Sequence, residues 1–373
     1  MTGPAPRLDV ARRQALLDAK LRSLVGRSWG ASALQEATAG VFPGGATLRS
    51  GRRGWVLAEE RPERSLGGSL AWAGRAGVED LALLVPRAAG SLARRATGFA
   101  RAPEVWQVDG STLRRALPAP IEPERTVPAA ALALLDVIRA AGADPVAERG
   151  VLTGEVLGLE VARVAAEGAE AWLEVGVGKH DREAQRLVHG GRSPLEALVA
   201  AVAEVRRLRV AGVPSHPANL LSPERWLRTV LVARPEVVGA RRLVAVASTV
   251  VREDLRSRAP ASALGIDHAG EPVVVVCSVG IDPDLVPVAA DVRAAAAAAL
   301  LGPPPWAGHP WVEHGLALAA AGRRARLVVA VPAGDDHGVT RALAAALSAP
   351  AELRTVPGDW REIGPAGPAP SVP

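Results

Sequence analysis

The densest chemistry in the chain lies between residues 154 and 183, where acids sit inside two apolar runs. Glu155 and Glu160 fall in the first run and Glu174 in the second, followed by Gly176, Val177, Gly178, Lys179 and His180. Lys179 and His180, placed after two glycines, could attract an anion, because glycine lets backbone N–H groups approach and a helix start favours negative charge. Strand parity decides what these groups can do together. Residues i and i+2 share a face, so Lys179, five residues after Glu174, faces away from it unless a bulge at Gly176 or Gly178 turns the chain. Glu160 opposes Glu174 if residue 164 pairs with 170, and a slip of one residue puts the two on opposite faces. The spacing leaves both registers open.

The elements that must position these groups read as strands and helices in alternation. An amphipathic helix is expected over 8–27, with Val10, Leu17, Leu21, Leu24 and Val25 on one side. A glycine-rich loop over 42–54 leads to strands at 55–58, 81–85 and 104–108, with helices at 65–75 and 88–100 between them. Prolines 118, 120, 123 and 128 mark a stiff linker. A helix over 129–141, the acidic hairpin and a helix over 194–210 follow. Pro214, Pro217 and Asn219 mark a second boundary, and Ser222-Pro223 reads as a serine cap with proline at the first helical position. Strands at 243–247, 272–279, 326–331 and 352–356, with helices at 286–301, 311–321 and 338–347, complete an α/β fold of mixed sheets with helix crossovers. The expected organisation is an α/β unit over 1–116, a hairpin-plus-helices region over 129–215, an α/β domain over 222–362 and a disordered Pro/Gly/Ala/Ser tail over 363–373. Shifting the chain by 246 residues places Leu81 on Leu327, Val85 on Val331, Pro86 on Pro332 and Arg95 on Arg341, the pattern expected if the first and last units arose by duplication.

Composition excludes several classes. The 373 residues are 49% hydrophobic, enough for more than one core. A single cysteine, Cys277, in an apolar run, rules out an internal disulfide framework or a CxxC site and reads as a buried small hydrophobe. His309 and His314 are five apart with Pro310 between them, not the i, i+4 spacing of a helical zinc motif. A Walker A loop is ruled out because Leu173 and His180 stand where glycine and Ser/Thr are required. Asp9 and Asp18 near the N-terminus, with no apolar core segment, argue against a signal peptide, and a cytoplasmic soluble protein with no membrane contact is expected. Basic charge is concentrated in residues 1–130, with 19 basic against 12 acidic groups, so arginines such as Arg94 and Arg95 are candidates for phosphate contacts. Trp55, Trp72, Trp106, Trp172 and Trp226 sit in apolar elements and are expected in cores, whereas Trp306 and Trp311 lie in a proline-rich loop. Asp282, Asp284, Asp335, Asp336 and His337 follow predicted strands, where they would form a ligand edge or cap the next helices.

An acid on one strand, a second acid on the next and a helix downstream resemble the PD-(D/E)XK nuclease superfamily. The resemblance implies Glu160 and Glu174 as Mg²⁺ ligands, Glu155 as an accessory acid, and Lys179 as a displaced water-orienting base, with Lys179 and His180 also near phosphate. It departs from the family at Gly176, where the lysine of Glu-x-Lys would stand. Two functional readings follow. One is a nucleic-acid-associated protein with a nuclease-like, degenerate metal hairpin. The other is a non-catalytic α/β scaffold or interaction module, binding a protein partner or a second copy, whose glutamates pair with arginines such as Arg163.

Overall fold

The computed structural model describes residues 7–178, 182, 193–211, 217–252, 254–298 and 324–363. It forms two compact units, the first made of Met1–Pro120 with Pro283–Asp291 and Gly338–Pro350, the second of the remaining segments.

In the first unit, helix α1 (Arg7–Trp29) lies on a six-stranded sheet with order β1-β2-β3-β4-β5-β6. The strands are β1 (Thr38–Phe42), β2 (Gly45–Ser50), β3 (Arg53–Ala58), β4 (Asp80–Val85), β5 (Glu104–Asp109) and β6 (Thr112–Arg115). Leu21, Leu24 and Val25 of α1 pack on Leu48, Trp55, Leu57 and Leu84, with Leu17 partly buried beside them; Val10, expected on the same stripe, is instead 67% exposed. The expected glycine-rich loop over 42–54 is instead a hairpin. Gly45 is required within it, because a Cβ there would collide with the carbonyl of Leu57 on β3. Helices α2 (Leu66–Ala76) and α3 (Ala89–Ala96) are the crossovers that make β3, β4 and β5 parallel.

The second unit holds two sheets. The first is an antiparallel meander of β7 (Asp144–Glu148), β8 (Val151–Val156), β9 (Leu159–Glu167) and β10 (Glu170–Val175). Before it the expected helix over 129–141 is two short pieces, α4 (Ala129–Leu132) and α5 (Leu135–Ala140). After it α6 (Pro194–Leu208) begins at a capping box between Ser193 and Glu196. Ile138 of α5 and Leu198, Val202 and Val205 of α6 close over Leu152, Val156, Ala162, Val164 and Val175. Then come α7 (Pro217–Leu220) and α8 (Pro223–Ala233). Trp226, Leu227, Val230 and Leu231 of α8 pack on a second sheet of order β11-β12-β13-β14-β15: β11 (Arg242–Val246), β12 (Ala261–Ile266), β13 (Pro272–Cys277), β14 (Arg326–Pro332) and β15 (Glu352–Val356). Cys277 is buried there, and burial pushes its thiol up to about 12.

The mixed α/β class expected from the sequence is present. The strand directions also bear on duplication: neighbours along β1 to β5 pair antiparallel, antiparallel, parallel, parallel, and β11 to β15 repeat that series. Two further expectations need correction. Trp172 is not in a core but 42% exposed on the edge strand β10. Ser222 does not cap α8 with its side chain; it has positive φ (45°), and its hydroxyl accepts from Arg252 Nη1 at 2.9 Å. The expected helix over 311–321 and the tail beyond 363 lie outside the described residues, as do Trp306, Trp311, His309 and His314. No helix among the described residues is long and apolar enough to cross a membrane.

Candidate anion-binding cleft

The meander sets the site through two tight turns. Arg149-Gly150 joins β7 to β8 and Leu157-Gly158 joins β8 to β9, and all four residues have positive φ (57°, 77°, 48° and 74°). Two such residues in sequence are the signature of a type I′ turn, whose twist matches that of paired strands. Arginine and leucine at the first position hold a conformation that side chains disfavour. Both are used: Arg149 lines the cleft, and the Leu157 carbonyl accepts from Arg209 Nε at 3.0 Å. At Gly158 a Cβ would run into the backbone of Arg225 and Trp226, so this turn fixes where α8 begins.

Register then decides which side chains meet. Val164 pairs with Leu173 and Arg163 with Glu174, three residues away from the pairing that would oppose Glu160 to Glu174. In unbroken strands that offset would send the two acids to opposite faces. A bulge at Val161 corrects it: β8 advances one residue from Gly154 to Glu155 while β9 advances two, from Ala162 to Glu160. Glu148, Thr153, Glu155, Glu160, Arg163 and Glu174 therefore share one face, and the apolar side chains under α5 and α6 take the other.

Arginines meet these acids. Arg225 and Arg228, three apart on α8 and so on one helix face, reach the sheet together. Arg225 Nη1 donates to Glu155 Oε1 at 2.5 Å, and Nη2 donates to Glu148. Arg228 Nη1 donates to Glu148 Oε1 at 2.6 Å, and Nη2 to Glu155 Oε2 at 3.2 Å. Two carboxylates and two guanidiniums thus close a ring in which Glu155 is 1% exposed. Burial alone would raise the Glu148 carboxyl, but Arg225 and Arg228 outweigh it and hold it below its ordinary value. Burial likewise opposes the Arg225 charge, and Glu148 and Glu155 outweigh it and raise that group. Glu160 accepts from Arg163 Nε and Nη2 at 2.9 and 3.0 Å and from Arg182 Nη1 at 2.9 Å, while Arg182 Nε stands 3.8 Å from Glu174. Arg252 donates to Glu224 at 2.9 Å. Arg209, 1% exposed, donates to the carbonyls of Leu157, Ala218, Leu221 and Ser222 and stacks 4.5 Å from the Trp226 ring. Burial pushes its guanidinium down to about 9.

Over this lattice opens a cleft of about 240 Å³. Five arginines (149, 163, 225, 228 and 252) line it against two glutamates (148 and 160), with Val250, Val251 and Pro260 as an apolar wall. Burial and, after it, the nearby charge of Arg225 hold the Arg252 guanidinium below its usual range even though Glu224 is paired with it.

The sequence-predicted residues divide accordingly. Glu155 and Glu160 belong to the cleft or its supports, and Glu174 shares their face. Lys179 and His180 lie outside the described residues. Arg94 and Arg95 are elsewhere, in the first unit: both engage the buried carboxylate of Asp291, Arg94 through two donors at 2.7 and 3.1 Å, and Arg95 is 6% exposed. They tie α3 to that acid and do not present a phosphate-facing surface. Asp284 accepts from the Gly67 N–H at 2.9 Å and Asp335 from the Gly280 N–H at 2.7 Å, so each serves a backbone donor distant in sequence. A Mg²⁺ site asks for carboxylate oxygens free to face the ion. Here those of Glu148, Glu155 and Glu160 accept from guanidiniums, and among the described residues no three His, Cys, Asp or Glu side chains are grouped to hold a metal.

The sequence reading did not single out Arg225, Arg228 and Arg252. A signal existed: charged residues inside apolar strands need charged partners when buried, and arginines three apart on an otherwise apolar helix can supply them. No family model, curated protein or solved structure matches the chain.

Proposed function

We propose that the second unit is a non-catalytic binding module for a phosphate-bearing ligand, with nucleic acid as the ligand class. The observation that carries this reading is the arginine-lined cleft above the closed ring of Glu148, Glu155, Arg225 and Arg228. In this reading the carboxylates are positioning groups. They hold guanidiniums in fixed orientations, and the planar fork of arginine suits phosphate oxygens better than a point charge does. The lining supports the same reading, since five arginines face the cleft against two glutamates. The narrow cleft suits a phosphate group on a flexible single strand better than a rigid duplex.

Fluorescence anisotropy with labelled single- and double-stranded DNA and RNA tests the proposal. Binding at 50 mM salt that weakens steeply by 200 mM is expected, because neutralised phosphates release counterions. Absence of binding to every nucleic acid at 50 mM salt would overturn it.

A metal-dependent nuclease is the second reading, favoured by the placement of Glu155, Glu160 and Glu174 on one face. It requires Glu160 and Glu174 to exchange Arg163 and Arg182 for the ion. Cleavage of the same strands with Mg²⁺ or Mn²⁺, lost in Glu174→Ala, would establish it; no cleavage by either protein leaves the binding reading.

A further inference from the structure

The first unit contains a separate groove of about 650 Å³ that the anion cleft does not explain. Its floor is Leu81, Phe99 and Leu343, each 4–6% exposed. One wall is α2, and the other is α9 (Gly338–Ala345), which belongs to this unit. Small residues on both walls, Ala71 and Gly74 on one side and Ala342 and Ala346 on the other, leave the space open. The lining is mostly apolar, and its polar groups lie at the mouth: Arg75 in the last turn of α2, and Arg101, which stands 3.7 Å from Glu79.

From this geometry we infer that the groove binds a small amphipathic anion, an aliphatic chain ending in a carboxylate, with the chain on the Phe99 floor and the acid at Arg75 and Arg101. Size and charge select this occupant. The volume lies within the roughly 300–1,000 Å³ of small-molecule sites. A partner helix about 10 Å across would need on the order of 850 Å³ for two turns. At the mouth two arginines face one glutamate, and that glutamate is already paired with Arg52 as well as near Arg101. The net positive charge favours an anionic head, and the dry floor favours a chain that carries no hydrogen-bonding groups.

The test is isothermal titration of the full chain with decanoate and with decanol, repeated on Arg75→Gln and Ala342→Phe. Both substitutions are at exposed positions, so folding is preserved, and circular dichroism checks it. Saturable decanoate binding is expected, at least fivefold weaker in Arg75→Gln, with decanol unaffected by that change; Ala342→Phe, which fills the groove, should abolish binding of both. No saturable decanoate binding at 1 mM, or unchanged binding in Ala342→Phe, would overturn the site. Equal affinity for decanol and decanoate in the wild type would overturn the assigned head group. Nucleic-acid binding by the second unit is measured separately, so either inference can fail without the other.

Discussion

Glu155→Gln removes one negative charge from a ring in which two carboxylates and two guanidiniums satisfy each other. Glu155 is 1% exposed and accepts from Arg225 at 2.5 Å and from Arg228 at 3.2 Å. Removing one member of a buried ion pair costs about 3–5 kcal/mol, chiefly because the other member stays buried and unpaired. Glu148 remains to share both arginines, which places the expected cost near the lower end, about 3 kcal/mol. For a unit of this size each kcal/mol lowers the midpoint by about 2–4 °C, so a fall of roughly 6–12 °C is expected. Cys277 supplies an assay specific to the second unit: buried in its core, it labels only when that unit opens. Thiol labelling on heating should shift by the stated amount in Glu155→Gln. Pairing it with Arg228→Met, which removes the stranded charge and keeps an apolar stem, should recover part of the loss. A midpoint within 2 °C of wild type for the single variant would refute the claim that the ring is closed and buried.

The other predictions concern nearby parts of the same account. Glu148 has its folded pKa depressed below the ordinary 4.5, so the stability it contributes is fully present above about pH 4.5 and is lost as pH falls through the folded value. Acid unfolding followed by fluorescence should be steeper in wild type than in Glu148→Gln. Gly158→Ala should destabilise the second unit by more than about 1 kcal/mol, because positive φ and contact with the α8 backbone both oppose a Cβ, and urea titration measures it. Gly67→Ala should destabilise the first unit in the same way, since a Cβ there meets the carbonyl of Pro283; an unchanged urea midpoint would contradict that packing. Native Cys277 should resist thiol reagents at pH 8, where burial keeps it protonated, and react fully in denaturant.

The parts of the fold legible in the sequence were those where one physical signal dominated. Apolar periodicity placed α1 and α6, and apolar runs ending at turns placed β4, β13, β14 and β15 within a residue or two. Short strands in polar or glycine-rich surroundings, such as β1, β2 and β7, were hidden because their hydrogen bonds and not their side chains make them strands, and the first acidic run, read as one strand, is β8 and β9 with the Leu157-Gly158 turn between Glu155 and Glu160. The acids were legible as unusual, but their role was not. It depended on a bulge at Val161 that no glycine marks and on arginines about seventy residues away in the chain, neither of which leaves a local pattern. Arg94 and Arg95 misled for the opposite reason: a pair of basic residues on a helix reads as a surface patch until its partner, Asp291, is known.

The most direct test of the central claim is the affinity of wild type and Arg252→Gln for a labelled single-stranded oligonucleotide at 50 mM salt. Arg252 lines the cleft and lies outside the Glu148–Glu155 ring; because its loss also leaves the buried Glu224 without its guanidinium, circular dichroism and thermal unfolding first establish that the variant is folded at the assay temperature. The account predicts at least a tenfold weaker Kd and a shallower salt dependence in the variant. Equal affinity and equal salt dependence in the two proteins would contradict it.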